Sequence, residues 1–220
     1  MGQWHEEKKV VLEAAQKMLE KGLVVGTAGN ISLRLPTQGE RQLLAITPSA
    51  QYYDLLGVDD IQIVDFNGQT VEGSLRPSIE TTLHISIYRA RTNVNAIIHT
   101  HPVFASAVSV AGLNIPPILD DQVALLGGPI KLARYAISGS PELAACVTAA
   151  LEDRNAVLLS NHGAIGTGRT MRDAFTACEL LEKTARIYLL ALSTGTVIQL
   201  PSEAIEAHKA LYHRLQNENK

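Results

Sequence analysis

The run V-N-A-I-I-H-T-H-P at 94–102 constrains the fold of this chain more than any other stretch. Residues 94–98 are mostly β-branched or apolar and read as a buried strand. The strand stops abruptly in His99, Thr100, His101 and Pro102. Side chains alternate with period two along a strand, so His99 and His101 fall on the same side of the backbone. Pro102 has no N–H to give to a ladder and closes the strand where the histidines emerge. Two imidazoles at a sheet end are either a hydrogen-bonded pair or half of a site for a borderline-soft divalent metal.

Two further segments favour the metal. A second apolar run, A-V-L-L-S at 156–160, ends in Asn161, His162 and Gly163, so another strand delivers a third histidine at its tip. Upstream, R-P-S-I-E at 76–80 opens a helix that runs to about Arg91, with Glu80 in its first turn. A carboxylate near a helix N-terminus is favoured by the exposed N–H groups and the macrodipole. Three histidines and a glutamate make a four-ligand set of the kind zinc accepts, namely His99, His101, His162 and Glu80. His84 lies one helical turn after Glu80 and reads either as a fourth ligand or as a packed histidine behind the site.

The motifs G-T-A-G-N-I-S (26–32), I-T-P-S (46–49), R-P-S-I-E (76–80), H-T-H-P (99–102) and N-H-G (161–163) follow one another along nearly the whole chain. In that order and spacing they resemble the class II aldolase/adducin family, nearest to its L-fuculose-phosphate-aldolase-like members. The resemblance implies a three-layer α/β/α fold around one central sheet and a homotetramer with active sites at subunit interfaces. It implies Glu80 as a metal ligand that leaves the metal and acts as general acid/base. It also implies a substrate-binding set of Thr27, Gly29, Asn30, Ser49 and Ser78, reaching a phosphate through hydroxyls, an amide and backbone N–H groups. Two positions depart from the family pattern: Ile79 stands where a second serine is usual, and Ala50 where glycine is usual. A smaller or carboxylated substrate then competes with a phosphorylated one. Asp120 and Asp121 fall in the family region that faces a neighbouring subunit's site, and Tyr212 lies in the region that supplies a tyrosine proton donor. Asp121 and Tyr212 are therefore carried as candidate catalytic residues beside Glu80.

Taken in order, residues 3–21 form an amphipathic helix that Gly22 terminates. Strands are expected at 31–35 and 42–46, with a hairpin of 61–66 and 70–72 around Asn67-Gly68. A short helix covers 103–111, and I-P-P at 115–117 is a rigid connector into a loop carrying Leu119–Gln122. Ser140 caps a helix over 141–152, the strand at 156–160 turns back through 164–167, and helices at 171–193 and 202–215 complete the chain. Frequent hairpins make the sheet mixed and largely antiparallel within an α/β domain spanning 1–220.

Composition closes off other classes. With 46% hydrophobic and 19% charged residues the chain can bury a sizeable core, and a net charge of −3 gives no electrostatic reason for nucleic acid or an anionic membrane. No apolar run reaches the ~18 residues of a membrane span, and the N-terminus lacks the apolar core of a signal peptide, so a cytoplasmic location is expected. Cys146 and Cys178 are isolated and expected as free thiols. His5, His208 and His213 stand among charged residues of the terminal helices and are expected to be solvated.

The chemistry expected is class II aldolase chemistry. A zinc ion, or manganese or cobalt in its place, acts as Lewis acid on a sugar phosphate or related hydroxyketone. The alternatives are an epimerase, a dehydratase or a decarboxylase using the same metal, and an adducin-like binding module. The resemblance associates an aspartate at the Glu80 position with the epimerases, and a non-catalytic module would be expected to have lost the histidines.

Overall fold

The computed structural model describes residues 2–217. The chain opens with α1 (His5–Glu20), then β1 (Asn30–Arg34), β2 (Leu43–Ile46), β3 (Gln62–Asp65) and β4 (Thr70–Glu72). Next come α2 (Thr81–Ala90), β5 (Ala96–Thr100), α3 (Val103–Val110), α4 (Asp120–Leu126) and β6 (Lys131–Ala133). The last part is α5 (Pro141–Leu151), β7 (Ala156–Leu159), β8 (Gly163–Gly168), α6 (Met171–Ser193) and α7 (Ser202–Asn217). The strands form one eight-stranded sheet in the order β4-β3-β2-β1-β5-β8-β7-β6. Every neighbouring pair is antiparallel except β6 with β7. The fold is α/β with a mixed, largely antiparallel sheet, as the hairpin-rich sequence implies.

Alternation along the strands sorts residues onto two helical layers. In β5, Ala96 and Ile98 join a core with Val11, Ala15 and Met18 of α1 and Phe175 of α6. Ile97 faces the other way, into a core with Leu83, Ile87 and Tyr88 of α2 and Val147 of α5. A third cluster joins Ala105 and Val108 of α3 to Leu181 and Ala185 of α6. β5 is thus covered on both faces and paired on both edges, by β1 and β8. That is why its sequence reads as an unbroken apolar run until the histidines.

Several local expectations shift. The loop expected around Leu119–Gln122 is a helix, α4, whose first turn holds Asp120 and Asp121. β6 had no strand signal; it is a three-residue segment held in parallel by β7. Ser140 caps α5 as expected, its Oγ accepting from the Leu143 N–H at 3.1 Å. Glu80 precedes its helix instead of lying in the first turn: it occupies the N-cap position of α2 with φ −95° and ψ 13°, and its side chain makes no capping bond. Both cysteines are free. Among the described residues no helix is long and apolar enough to cross a membrane.

Candidate metal centre and cleft

The strand tips bring the three histidines together. His99 is the penultimate residue of β5, His101 follows that strand by one residue, and His162 sits in the turn between β7 and β8. β5 pairs with β8, with Thr100 opposite Ala164, which sets this turn beside the end of β5. Two glycines make the approach possible. A Cβ at Gly163 would stand 2.3 Å from the Thr100 carbonyl oxygen, and one at Gly29 would stand 2.6 Å from that of His99. Neither position accepts a side chain without moving the backbone that carries the imidazoles.

His99 Nε2 lies 2.8 Å from His101 Nε2 and 3.2 Å from His162 Nε2. His99 Nδ1 is 3.0 Å from the Ala164 carbonyl oxygen, which can only accept, so the proton is on Nδ1 and the Nε2 lone pair faces the other two rings. The donor set is three convergent imidazoles. Separations of 2.8 and 3.2 Å lie just below the ~3.3 Å expected between nitrogens each ~2.0–2.1 Å from one tetrahedral ion, so a small outward shift of the rings fits them to a divalent metal.

Glu80 completes the wall of the site. It is 3% exposed, with Oε2 3.2 Å from His99 Nε2 and Oε1 3.7 Å from His162 Nε2. Oε2 accepts from Asn30 Nδ2 at 2.8 Å and Oε1 from Ser138 Oγ at 2.9 Å. Burial alone would raise the carboxyl pKa, but the interactions with His99 and His162 and the two hydrogen bonds outweigh it and hold it at about 2. His84 is fully buried and is no part of the metal cluster. It bonds Ser32 Oγ and Asn30 Oδ1, so of the two sequence readings the packed one holds.

An open cleft of about 230 Å³ lies against this cluster. Thr27, Gly29, Asn30, Ser49 and Ser78 all line it, with Glu80, His101 and His162. The two Pro-Ser motifs reach it together because Pro48 and Pro77 form an isolated bridge and Ser78 N–H donates to the Thr47 carbonyl. Ile79 and Ala50 line the same cleft, and Ala50 adopts φ 54°, a left-handed conformation glycine takes more readily. No lysine or arginine lines the cleft among the described residues.

Asp121 and Tyr212 are not brought to the cleft within one chain. Asp121 Oδ2 pairs with Lys183 Nζ at 2.6 Å and Asp120 Oδ1 with His208 Nε2 at 3.0 Å, so this histidine is not simply solvated. Tyr212 is 2% exposed, and its hydroxyl lies within hydrogen-bond distance of the Asp153 carbonyl oxygen and Asn155 Oδ1. Burial raises that phenol to about 12. Ser138 went unread in the sequence; it lies between β6 and α5 in a segment without a motif.

The family follows from this fold and this site. The class II aldolase and adducin N-terminal domain matches residues 9–189, and the chain belongs to that family. It is 34% identical over 201 residues to the 5-deoxy-D-ribulose 1-phosphate aldolase of Bacillus thuringiensis serovar kurstaki, covering 91% of this chain and 92% of that one. To the L-fuculose phosphate aldolase of Escherichia coli (strain K12) it is 35% identical over 196 residues, 89% of this chain and 88% of that one. A solved structure of L-fuculose 1-phosphate aldolase aligns with a TM-score of 0.88 at 34% identity, covering 94% of this chain and 96% of that chain. These relatives are lyases, which puts the chain among the family's enzymes.

The buried histidines make the metal-free protein acid-sensitive. Burial lowers His84 and His101 to about 3, the neighbouring imidazoles adding to the effect, and lowers His162 as well. Unfolded, each titrates near ~6.5. Between those values the unfolded chain holds more protons than the folded one, so stability falls as pH falls. Glu80, also depressed, adds to the loss from its unfolded value of ~4.3 down to about 2. Urea titrations of metal-free protein are expected to give a lower midpoint at pH 5 than at pH 7. An equal or higher midpoint at pH 5 would contradict this electrostatic picture.

Proposed function

We propose that this chain is a zinc-dependent class II aldolase cleaving a sugar phosphate or related hydroxyketone by retro-aldol reaction. One observation carries the reading: three imidazole Nε2 atoms converge at the cleft wall with a buried, ionised carboxylate against them. His99, His101 and His162 hold the ion. When bound, it supplies Lewis acidity that offsets the negative charge left on the carbonyl fragment as the carbon–carbon bond breaks. The residues lining the cleft include no lysine for a Schiff base.

Glu80 serves as general acid/base. Its carboxylate is ionised in the resting site and takes the hydroxyl proton of the substrate as the bond breaks, and the protonated form returns that proton to the carbon fragment. Thr27, Gly29, Asn30, Ser49 and Ser78 bind the end of the substrate away from the breaking bond. We read the chain as one domain over 1–220 that assembles as a cytoplasmic homotetramer with its sites at subunit interfaces. Size-exclusion chromatography with light scattering tests the assembly.

Metal analysis of the purified protein, coupled to a retro-aldol screen of phosphorylated and unphosphorylated ketoses, tests the function. Bound metal with no cleavage of any ketose, but interconversion of ketopentose phosphate epimers, would turn the reading to an epimerase. The anion end makes a separate prediction. Ile79 is 49% exposed at the cleft and offers no side-chain donor. Ile79→Ser is expected to lower KM for phosphate esters several-fold with kcat nearly unchanged, since binding shared by ground and transition states acts on KM. Unchanged KM for every phosphate ester would count against an anion contact at this position.

A further inference from the structure

We propose that His84 is a positioning residue which makes Oε1 of Glu80, and not Oε2, the oxygen that carries the proton during turnover. The proposal rests on the assignment of Glu80 as general acid/base. It begins from a row of hydrogen bonds between one strand and one helix with its N-cap: Asn30 and Ser32 of β1 alternate with Glu80, the N-cap, and with His84 and Tyr88 of α2.

The direction of each bond in this row is fixed by its chemistry. An ionised carboxylate only accepts, so the Asn30 group 2.8 Å from Oε2 is its amide nitrogen. The Asn30 carbonyl oxygen then faces His84 Nε2 at 2.6 Å, and a carbonyl only accepts, so Nε2 carries a proton. His84 is fully buried and neither of its hydrogen-bond partners is charged, which keeps it neutral and leaves Nδ1 as an acceptor. Ser32 Oγ, 2.7 Å away, donates to Nδ1 and accepts from the Tyr88 hydroxyl at 2.8 Å. Every group in the row donates toward Glu80. The reverse setting of the Asn30 amide would place its oxygen against a carboxylate oxygen, with no proton between them.

The consequence appears when Glu80 takes a proton. In that step the substrate O–H bond breaks, its electron pair stays on the substrate oxygen, and an O–H bond forms on the carboxylate. A proton on Oε2 directed at Asn30 would meet an amide N–H that His84 prevents from turning. The other neighbour of Oε2 is His99 Nε2, whose lone pair faces the metal position. Oε1 has a different partner: Ser138 Oγ is a hydroxyl, able to turn from donor to acceptor, and it lines the cleft. The proton therefore goes onto Oε1, on the substrate side.

Neutron diffraction from deuterium-exchanged crystals of the purified protein tests the row directly. Deuterium is expected on His84 Nε2, none on Nδ1, and two on the Asn30 amide nitrogen facing Oε2. Deuterium on Nδ1 with Nε2 bare overturns the proposal. The kinetic test uses metal-loaded variants. His84→Leu is expected to keep its metal and to lose on the order of 10-fold in kcat with KM little changed, the scale of one buried hydrogen bond. His84→Gln, which keeps an amide N–H toward Asn30, is expected to recover most of that loss. Wild-type kcat in His84→Leu, beside a large loss in Glu80→Gln, would defeat this proposal and leave the role of Glu80 standing. Full activity in Glu80→Gln defeats the underlying assignment. Should His84→Leu not fold, the neutron map decides.

Discussion

Glu80→Gln is expected to fold, to keep its metal and to lose about 10²–10⁴ in kcat, the range general acid–base catalysis contributes. The substitution preserves volume in a site where the carboxylate is 3% exposed. It also preserves the hydrogen bonds if the new amide turns the right way. Its oxygen can take the Asn30 Nδ2 donor in place of Oε2, and its nitrogen can face Ser138, whose hydroxyl can accept as well as donate. What is lost is the ability to take a proton. Three imidazoles suffice to retain a divalent ion and leave the open position a catalytic site needs. Elemental analysis beside steady-state kinetics checks both halves, and near-full lyase activity in a metal-replete variant would remove Glu80 from the mechanism.

The second large effect is expected from removing two ligands together. His101→Ala with His162→Ala leaves His99 as the lone imidazole, and the protein is expected to purify without stoichiometric metal and without measurable cleavage activity. Folding survives, because both histidines sit outside the three apolar cores. The metal-free variant is also expected to tolerate acid better than the metal-free parent. It no longer carries two imidazoles that folding makes harder to protonate. Full metal content in the double variant would show that the ion is held elsewhere.

How much of this could be read from the chain depended on where the signal lies. The histidines were legible because each ends an apolar run, and a strand tip is a place where alternation fixes direction. The hairpin around Asn67-Gly68 and the long helix α6, found over the same 171–193, were legible from local chemistry alone. α4 and β6 were not: the first follows a double proline and reads as a turn, and the second is three residues whose strand character comes from β7. Nor does anything local state that β5 lies between β1 and β8, since both pairings join residues far apart in sequence. Ser138 shares that difficulty, because its partner Glu80 is 58 positions away. Asp121 and Tyr212 were carried by resemblance, and their contacts in this chain are with Lys183 and Asp153 instead of the cleft.

The strand and helix behind Glu80 act as two rulers of unequal graduation. Alternate residues of β1 are spaced at ~6.8 Å, and every fourth residue of α2 at ~6.0 Å. Marks that coincide at Asn30 and Glu80 have drifted by ~0.8 Å one division on and by about twice that at the next. Arg34, the third mark on the strand side, lies ahead of its counterpart and reaches back with a long side chain where a short one would not meet it. Its guanidinium lies 4.7 Å from the Tyr88 ring centre and donates to the carbonyls of Tyr88 and Arg91. A cation there also suits the negative end of the helix. The helix is thus pinned to one strand at its start, middle and finish, and cannot slide along the sheet without losing all three. The carboxylate at its head inherits that fixed address, so its position beside the histidines is set by more than ten ångströms of backbone behind it and not by its own rotamer alone.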